Sequence, residues 1–179
     1  MGEEENRTYS RVSTRIQGWM RLLPTPDSPP LFREGGLRSE SPVLSARGMQ
    51  LPEPLLLFLQ ELNDKLDMIL GLLSRDQLQE QFPLRVEVLE VSGAGVQFRS
   101  QEARQDGECV EIVLVLDQLP MRLAGATGRI VRQLPPESDA PDMPVWALEF
   151  LRIREQDQDA VIQFVLQEER RRIREKRWG

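Results

Sequence analysis

Two short stretches hold side chains whose types and spacing could do chemistry. Arg7-Thr8-Tyr9-Ser10-Arg11 sets two guanidiniums four residues apart, just ahead of a β-like run. Glu90-Val91-Ser92-Gly93-Ala94-Gly95 joins a carboxylate, a hydroxyl and two glycines at a strand-to-strand turn. A guanidinium offers a planar fork of donors that fits phosphate oxygens or the O6/N7 edge of guanine. A carboxylate accepts from the opposite guanine edge, and glycine lets a backbone approach closely. Arg7, Arg11, Glu90, Ser92 and Gly95 are therefore the candidate binding residues, and together they fit a guanine-bearing phosphate ligand.

Composition narrows the alternatives. A net charge of -6 argues against a general nucleic-acid binder, whose footprint is basic, so no DNA partner is expected. The chain has no histidine, which excludes Ser-His-Asp and Cys-His triads and every His-ligated metal site. Its one cysteine, Cys109, cannot form an intrachain disulfide or a cysteine zinc cluster, and it reads as an inert thiol ahead of a strand. Glu3-Glu4-Glu5 and the Asp157/Asp159 pair read as solvated acidic sequence without a nucleophile or metal beside them. No enzyme, metal or cofactor is expected. The acidic start does not read as a signal peptide, and Asn6 spoils a myristoylation motif. The longest apolar run, Leu55 to Leu59, is far below the ~20 residues of a membrane span. A reducing cytoplasm is the expected compartment.

The elements that must position the candidate residues are mostly strands. Residues 7–23 read as an arginine-bearing arm and then a strand, with Gly18 hinting at a bulge. Residues 24–53 form a Pro/Gly-rich loop. Residues 54–80 predict a helix. Leu55, Leu59, Leu62, Leu66, Ile69 and Leu73 step by 4, 3, 4, 3 and 4, a heptad seam that Leu56, Phe58, Leu70 and Leu72 broaden. Strict alternation in Leu84-Arg85-Val86-Glu87-Val88 predicts a strand with one wet face. Val110 to Leu116, apolar except for Glu111, predicts a strand buried on both faces. Met121 to Val131 carries Gly125 and Gly128, which would ease bending in a closed barrel. After a proline loop, Val145 to Phe150 alternates again and places Trp146 in the core. Trp19, Trp146 and Trp178 are the aromatic groups that could stack on bases. A helix from about Asp157 turns basic through Arg170, Arg171, Arg172, Arg174, Lys176 and Arg177. The expected class is mainly β, a small barrel with a C-terminal helix and a long inserted helix.

This pattern resembles the PilZ domain family, which binds the bacterial second messenger cyclic di-GMP. That family combines an R-x-x-x-R arm, a first strand, a turn of the form Asp/Asn-x-Ser-x-x-Gly, a six-stranded barrel and a C-terminal helix. Arg7 and Arg11 match the arm, and Tyr9-Ser10-Arg11-Val12 looks like its usual continuation. Ser92 and Gly95 match the turn at its own spacing, and Ala147-Leu148-Glu149-Phe150 looks like the closing strand. The resemblance covers residues 6–23 and 84–177, and two departures stand out. Glu90 occupies the Asp/Asn position, and the added methylene displaces the carboxylate by ~1.5 Å. The other is the long insertion between Arg11 and Glu90; closing it costs only ~0.6 kcal/mol per doubling of length.

The resemblance implies a cyclic di-GMP receptor or effector, with the dinucleotide as a ligand and not a cofactor. Its N-terminal arm would be mobile until Arg7 and Arg11 close on the ligand beside Glu90, Ser92 and Gly95. A protein partner in motility, pilus or exopolysaccharide control would then read the new surface. Some PilZ-family proteins carry a heptad helix that assembles into a bundle, so by this resemblance residues 54–80 would make a homo-oligomer, such as a tetramer. The alternative is a ligand-independent interaction or scaffold module, a degenerate barrel displayed on a helical bundle. Glu90 and the elaborate insert favour that alternative.

Overall fold

A computed structural model describes residues 9–32, 52–118 and 121–178. Arg7, most of the predicted arm and much of the Pro/Gly-rich loop lie outside the described residues.

Six antiparallel strands close into a barrel in the order β1-β2-β3-β6-β5-β4. They are β1 (Arg11–Leu23), β2 (Leu84–Ser92), β3 (Gly95–Arg99), β4 (Cys109–Gln118), β5 (Met121–Leu134) and β6 (Val145–Ile153). Two helices complete the described chain, α1 (Glu53–Gln81) in the insert and α2 (Glu155–Trp178) at the end. Closure comes from the second half of β1, which pairs with β2 on one side and β4 on the other. Alternation fills the interior: Met20, Val88, Val91, Phe98, Ile112 and Ile130 are fully buried. Val161, Phe164 and Val165 of α2 join the same core. Trp146 and Leu148 also belong to it, as their alternation with Phe150 predicts.

β4 is buried on both faces, and the reason lies in the insert. Its outward residues Val113 and Val115 pack with Trp19, Met121, Leu123, Leu78 at the end of α1, and Phe82 just beyond. Phe32 packs against this outer cluster. Its ring lies where a side chain on Gly125 would go, with Cδ1 2.2 Å from a Cβ built there. Gly125 therefore makes room for Phe32, a role beyond the bending its sequence predicts. The carboxylate of Glu111, 1% exposed, anchors this end of the insert. It accepts from Arg21 Nε at 2.6 Å, Leu31 N at 3.1 Å and Phe32 N at 2.8 Å.

Two expectations need correction. Gly18 pairs regularly with Val86 and Leu114, and the irregularity in β1 falls between Ser13 and Ile16 instead. Asp157 is not solvated; it is 2% exposed and accepts from Arg154 Nε at 2.6 Å. The Asp-Arg pair locks the first turn of α2 onto the end of β6.

Beyond its last turns, α1 leaves its heptad seam open to solvent. Leu55, Leu62, Leu66, Ile69 and Leu73 are 42–57% exposed, and Leu57 and Phe58 about 60%. None of the described helices is long and apolar enough to cross a membrane.

Candidate functional site

A break in β2 creates the site. Val86 and Val88 point inward, so unbroken alternation would put position 90 in the core. The ladder with β3 slips between Val88 and Glu90, and Leu89 is the extra residue. A bulge of this kind bends the strand and re-aims the side chains next to it. Val91 is buried in the core, and Glu90 turns out beside Arg11.

Arg11 opens β1 directly across from Ser92. Its Nη1 lies 3.6 Å from Glu90 Oε1, with the two side chains 44% and 28% exposed. Gln97 Nε2 donates to the same oxygen at 3.0 Å. Ser92 Oγ donates to the Gly95 carbonyl at 3.1 Å and accepts from Ala94 N at 3.3 Å, so its hydroxyl braces the turn. Gly95 is small for a reason internal to the barrel: a Cβ there would sit 2.2 Å from the Leu148 carbonyl oxygen. The close approach predicted for this glycine is made by β6.

These residues line one cleft of about 310 Å³, shared with Gln97, Arg132 and Glu149. Of the five expected site residues, Arg11, Glu90, Ser92 and Gly95 come together, and Arg7 lies outside the described residues. Sequence reasoning missed Gln97, Arg132 and Glu149. The slip between Ile130 and Arg132 disturbs the β5 alternation, and strand order alone brings β5 and β6 to this face. The charges around the cleft balance, Arg11 and Arg132 against Glu90 and Glu149. Two larger clefts, of about 650 and 690 Å³, flank Arg15 and hold none of the expected residues. Arg15 and Arg99 there form an ion-pair network with Glu87, Glu137 and Asp139.

Three aromatic groups were candidates for base stacking. Trp19 is 7% exposed in the outer cluster, with Arg85 over its ring, and Trp146 is core. Neither presents a face to the cleft, and Trp178 ends α2 far along the chain. Tyr9 does reach the site's turn. Its ring covers Gly93, and its hydroxyl accepts from Gln158 Nε2 on α2 at 3.3 Å.

Comparison of the fold with solved structures finds similar folds. A PilZ-domain protein from Xanthomonas campestris, described as a tetramer self-assembled through an unusual helical bundle, matches with a TM-score of 0.52. The match has 22% identity and covers 93% of this chain and 89% of that one. The fold is PilZ-like. The inhibitor of motility MotI/DgrA of Bacillus subtilis matches with a TM-score of 0.51 and 12% identity over 95% of this chain. This chain spans 52% of the MotI/DgrA length. The PilZ domain of YcgR from Escherichia coli, with c-di-GMP, matches at a TM-score of 0.38, too loosely to argue from. No family model matches the sequence, and no curated protein does.

Proposed function

We propose that this chain is a cyclic di-GMP receptor whose N-terminal arginine arm orders on the ligand and presents the result to a protein partner. One observation carries the reading: Arg11, Glu90, Ser92 and Gly95 line a single cleft on a PilZ-like barrel. The electrostatics give the arm its task. The cleft's own charges balance, so a dinucleotide of charge about −2 gains little from it alone. Arg7 brings the missing positive charge, four residues from Arg11. Its closure converts a neutral cleft into an anion site and orders the arm in the same event.

Calorimetric titration with cyclic di-GMP tests this. Arg11→Ala removes a charge-assisted contact worth roughly 1.5–3 kcal/mol, a loss of about tenfold to a hundredfold in affinity. Glu90→Asp restores the commoner family geometry and is expected to bind at least as tightly as the parent. An Arg11→Ala protein with the parent's affinity removes the clamp.

The exposed seam of α1 supports a homo-oligomer with α1 at its centre. The Xanthomonas protein's helical bundle makes a tetramer the first assembly to look for. Light scattering after size exclusion decides it, and a monomer at micromolar concentration refutes the bundle. The Bacillus subtilis relative, an inhibitor of motility, points the output toward motility, where a partner would read the closed arm.

The competing reading, a ligand-independent scaffold, draws on the balanced charges of the cleft and on Glu90 already bonded to Gln97. Saturating dinucleotide that leaves the melting temperature unchanged, while a partner still co-purifies, selects it.

A further inference from the structure

Glu90 and Gln97 face each other across the β2/β3 ladder, and the bulge is what makes them partners. Val88 stands opposite Phe98, so an unbroken ladder would set Leu89 across from Gln97. The extra residue moves Glu90 into that place. Gln97 Nε2 donates to Glu90 Oε1 at 3.0 Å. A carboxylate only accepts, so the carboxamide must turn its nitrogen toward it. On its other side Gln97 pairs with Ala147, whose methyl offers no hydrogen bond. Glu90 is therefore the polar neighbour that the ladder gives Gln97. Arg11 Nη1 approaches the same Oε1 at 3.6 Å. Both contacts run to one oxygen, and Oε2 takes part in neither.

Barrel stability does not account for this bond. Val88, Val91, Val96 and Phe98 on either side already hold β2 and β3 in the core. Untethered, a glutamate is a poor reader of a ligand. Its side chain has one more rotatable bond than aspartate, and holding it still on a ligand costs the rotamer freedom it had. A residue that fixes the side chain beforehand removes that cost from binding. We infer that Gln97 is a positioning residue: it holds Glu90 by Oε1 across the bulge and leaves Oε2 to accept from the N1–H and 2-amino edge of guanine. The inference rests on the receptor reading and deepens it, since it assigns the carboxylate its base edge. The methylene that separates Glu90 from the commoner Asp or Asn is then a tethered one, and a shorter aspartate has no use for Gln97. Both residues line the same cleft, so the tether acts where a ligand would lie.

Gln97→Met keeps the unbranched length of the side chain and removes the amide. Calorimetric titration of the full parent chain with cyclic di-GMP is read before any variant. Gln97→Met should then weaken binding about threefold to tenfold, the scale of one hydrogen bond. In a Glu90→Asp background the same substitution should cost less than about twofold, because the shorter side chain is not tethered. The hypoxanthine analogue, cyclic di-IMP, lacks the 2-amino groups and reports the base edge. The parent should prefer cyclic di-GMP to it, and Gln97→Met should narrow that preference, because an untethered carboxylate no longer reads the edge. A packing role for Gln97 would leave the preference unmoved. Equal affinity of Gln97→Met and parent, equal losses in both backgrounds, or an unchanged preference overturns the positioning role and leaves the receptor reading in place. A parent protein that does not bind cyclic di-GMP overturns the receptor reading, and the positioning role with it.

Discussion

Glu111→Ala should lower stability by about 3–5 kcal/mol, the range for removing one partner of a buried ion pair. The size comes from its surroundings. The carboxylate is 1% exposed, and the Arg21 guanidinium it pairs with is 20% exposed. Truncation strands that guanidinium and two backbone N–H groups, those of Leu31 and Phe32. Water can reach Leu31, which is 48% exposed, so its amide adds little. Phe32 is half-buried, and loosening it opens a gap over Gly125 on the outer face of the barrel. For a domain of this size, about 2–4 °C of melting temperature accompanies each kcal/mol, so the midpoint should fall by roughly 6–20 °C. Glu111→Gln keeps the shape and one acceptor oxygen, and should fall between the two. Thermal melts give the first number, and hydrogen exchange at the Leu31 and Phe32 amides locates it. A Glu111→Ala protein that melts within about 2 °C of the parent, a shift below 1 kcal/mol on this scale, with those amides still protected, refutes the reasoning.

The cleft and its surroundings support three more predictions. Gly95→Ala drives a Cβ against the Leu148 carbonyl, so β3 and β6 must part, at a cost of about 1–3 kcal/mol by melting. Cyclic di-GMP affinity should fall with it, by about threefold or more in the calorimetric titration, because β3 and β6 both line the cleft that this parting disturbs. Glu149→Gln removes one carboxylate from a cleft with balanced charges, and should tighten dinucleotide binding by about fivefold, or ~1 kcal/mol, in a low-salt titration. Burial pushes the Asp139 carboxyl up, but Arg15 and Arg99 together outweigh it and hold the group below its ordinary value of 3.8. Its folded value is therefore lower than its unfolded one, so its stabilising contribution is complete above the ordinary value and disappears as pH falls through the folded one. Arg15→Gln should raise the Asp139 midpoint in an NMR pH titration, and an unmoved midpoint removes Arg15 from the network.

Period-2 alternation made the strands legible, and heptad spacing made α1 legible to within a residue at each end, 54–80 against Glu53–Gln81. The double burial of β4 was readable from an apolar run interrupted only by Glu111, although the insert that covers its outer face was not. Places where pairing slips were the hard ones. Leu89 turns Glu90 out of the core, and no composition signal marks that residue as an extra one. The slip near Val131 hides Arg132 in the same way. Glu111 reads only as the polar exception in a buried run until Arg21 of β1 pairs with it, and Asp157 reads as solvated until its near neighbour Arg154 turns onto it. Tyr9 reads in sequence as the middle of an arginine motif, and only the fold shows that its ring needs Gly93 bare.

Met20 and Leu84 stand opposite each other in the β1/β2 ladder. β1 runs on past Met20 along β4 as far as Leu23, so the segment between Leu23 and Leu84 behaves as a cassette whose two ends lie at the same end of the barrel. Exchanging that cassette breaks no rung between β2, β3, β6 and β5. It does strip the roof from Trp19, Val113 and Val115, which Phe32, Leu78 and Phe82 now shelter. Any graft installed in its place must accordingly bring its own greasy lid, or the barrel will find one on a neighbouring molecule.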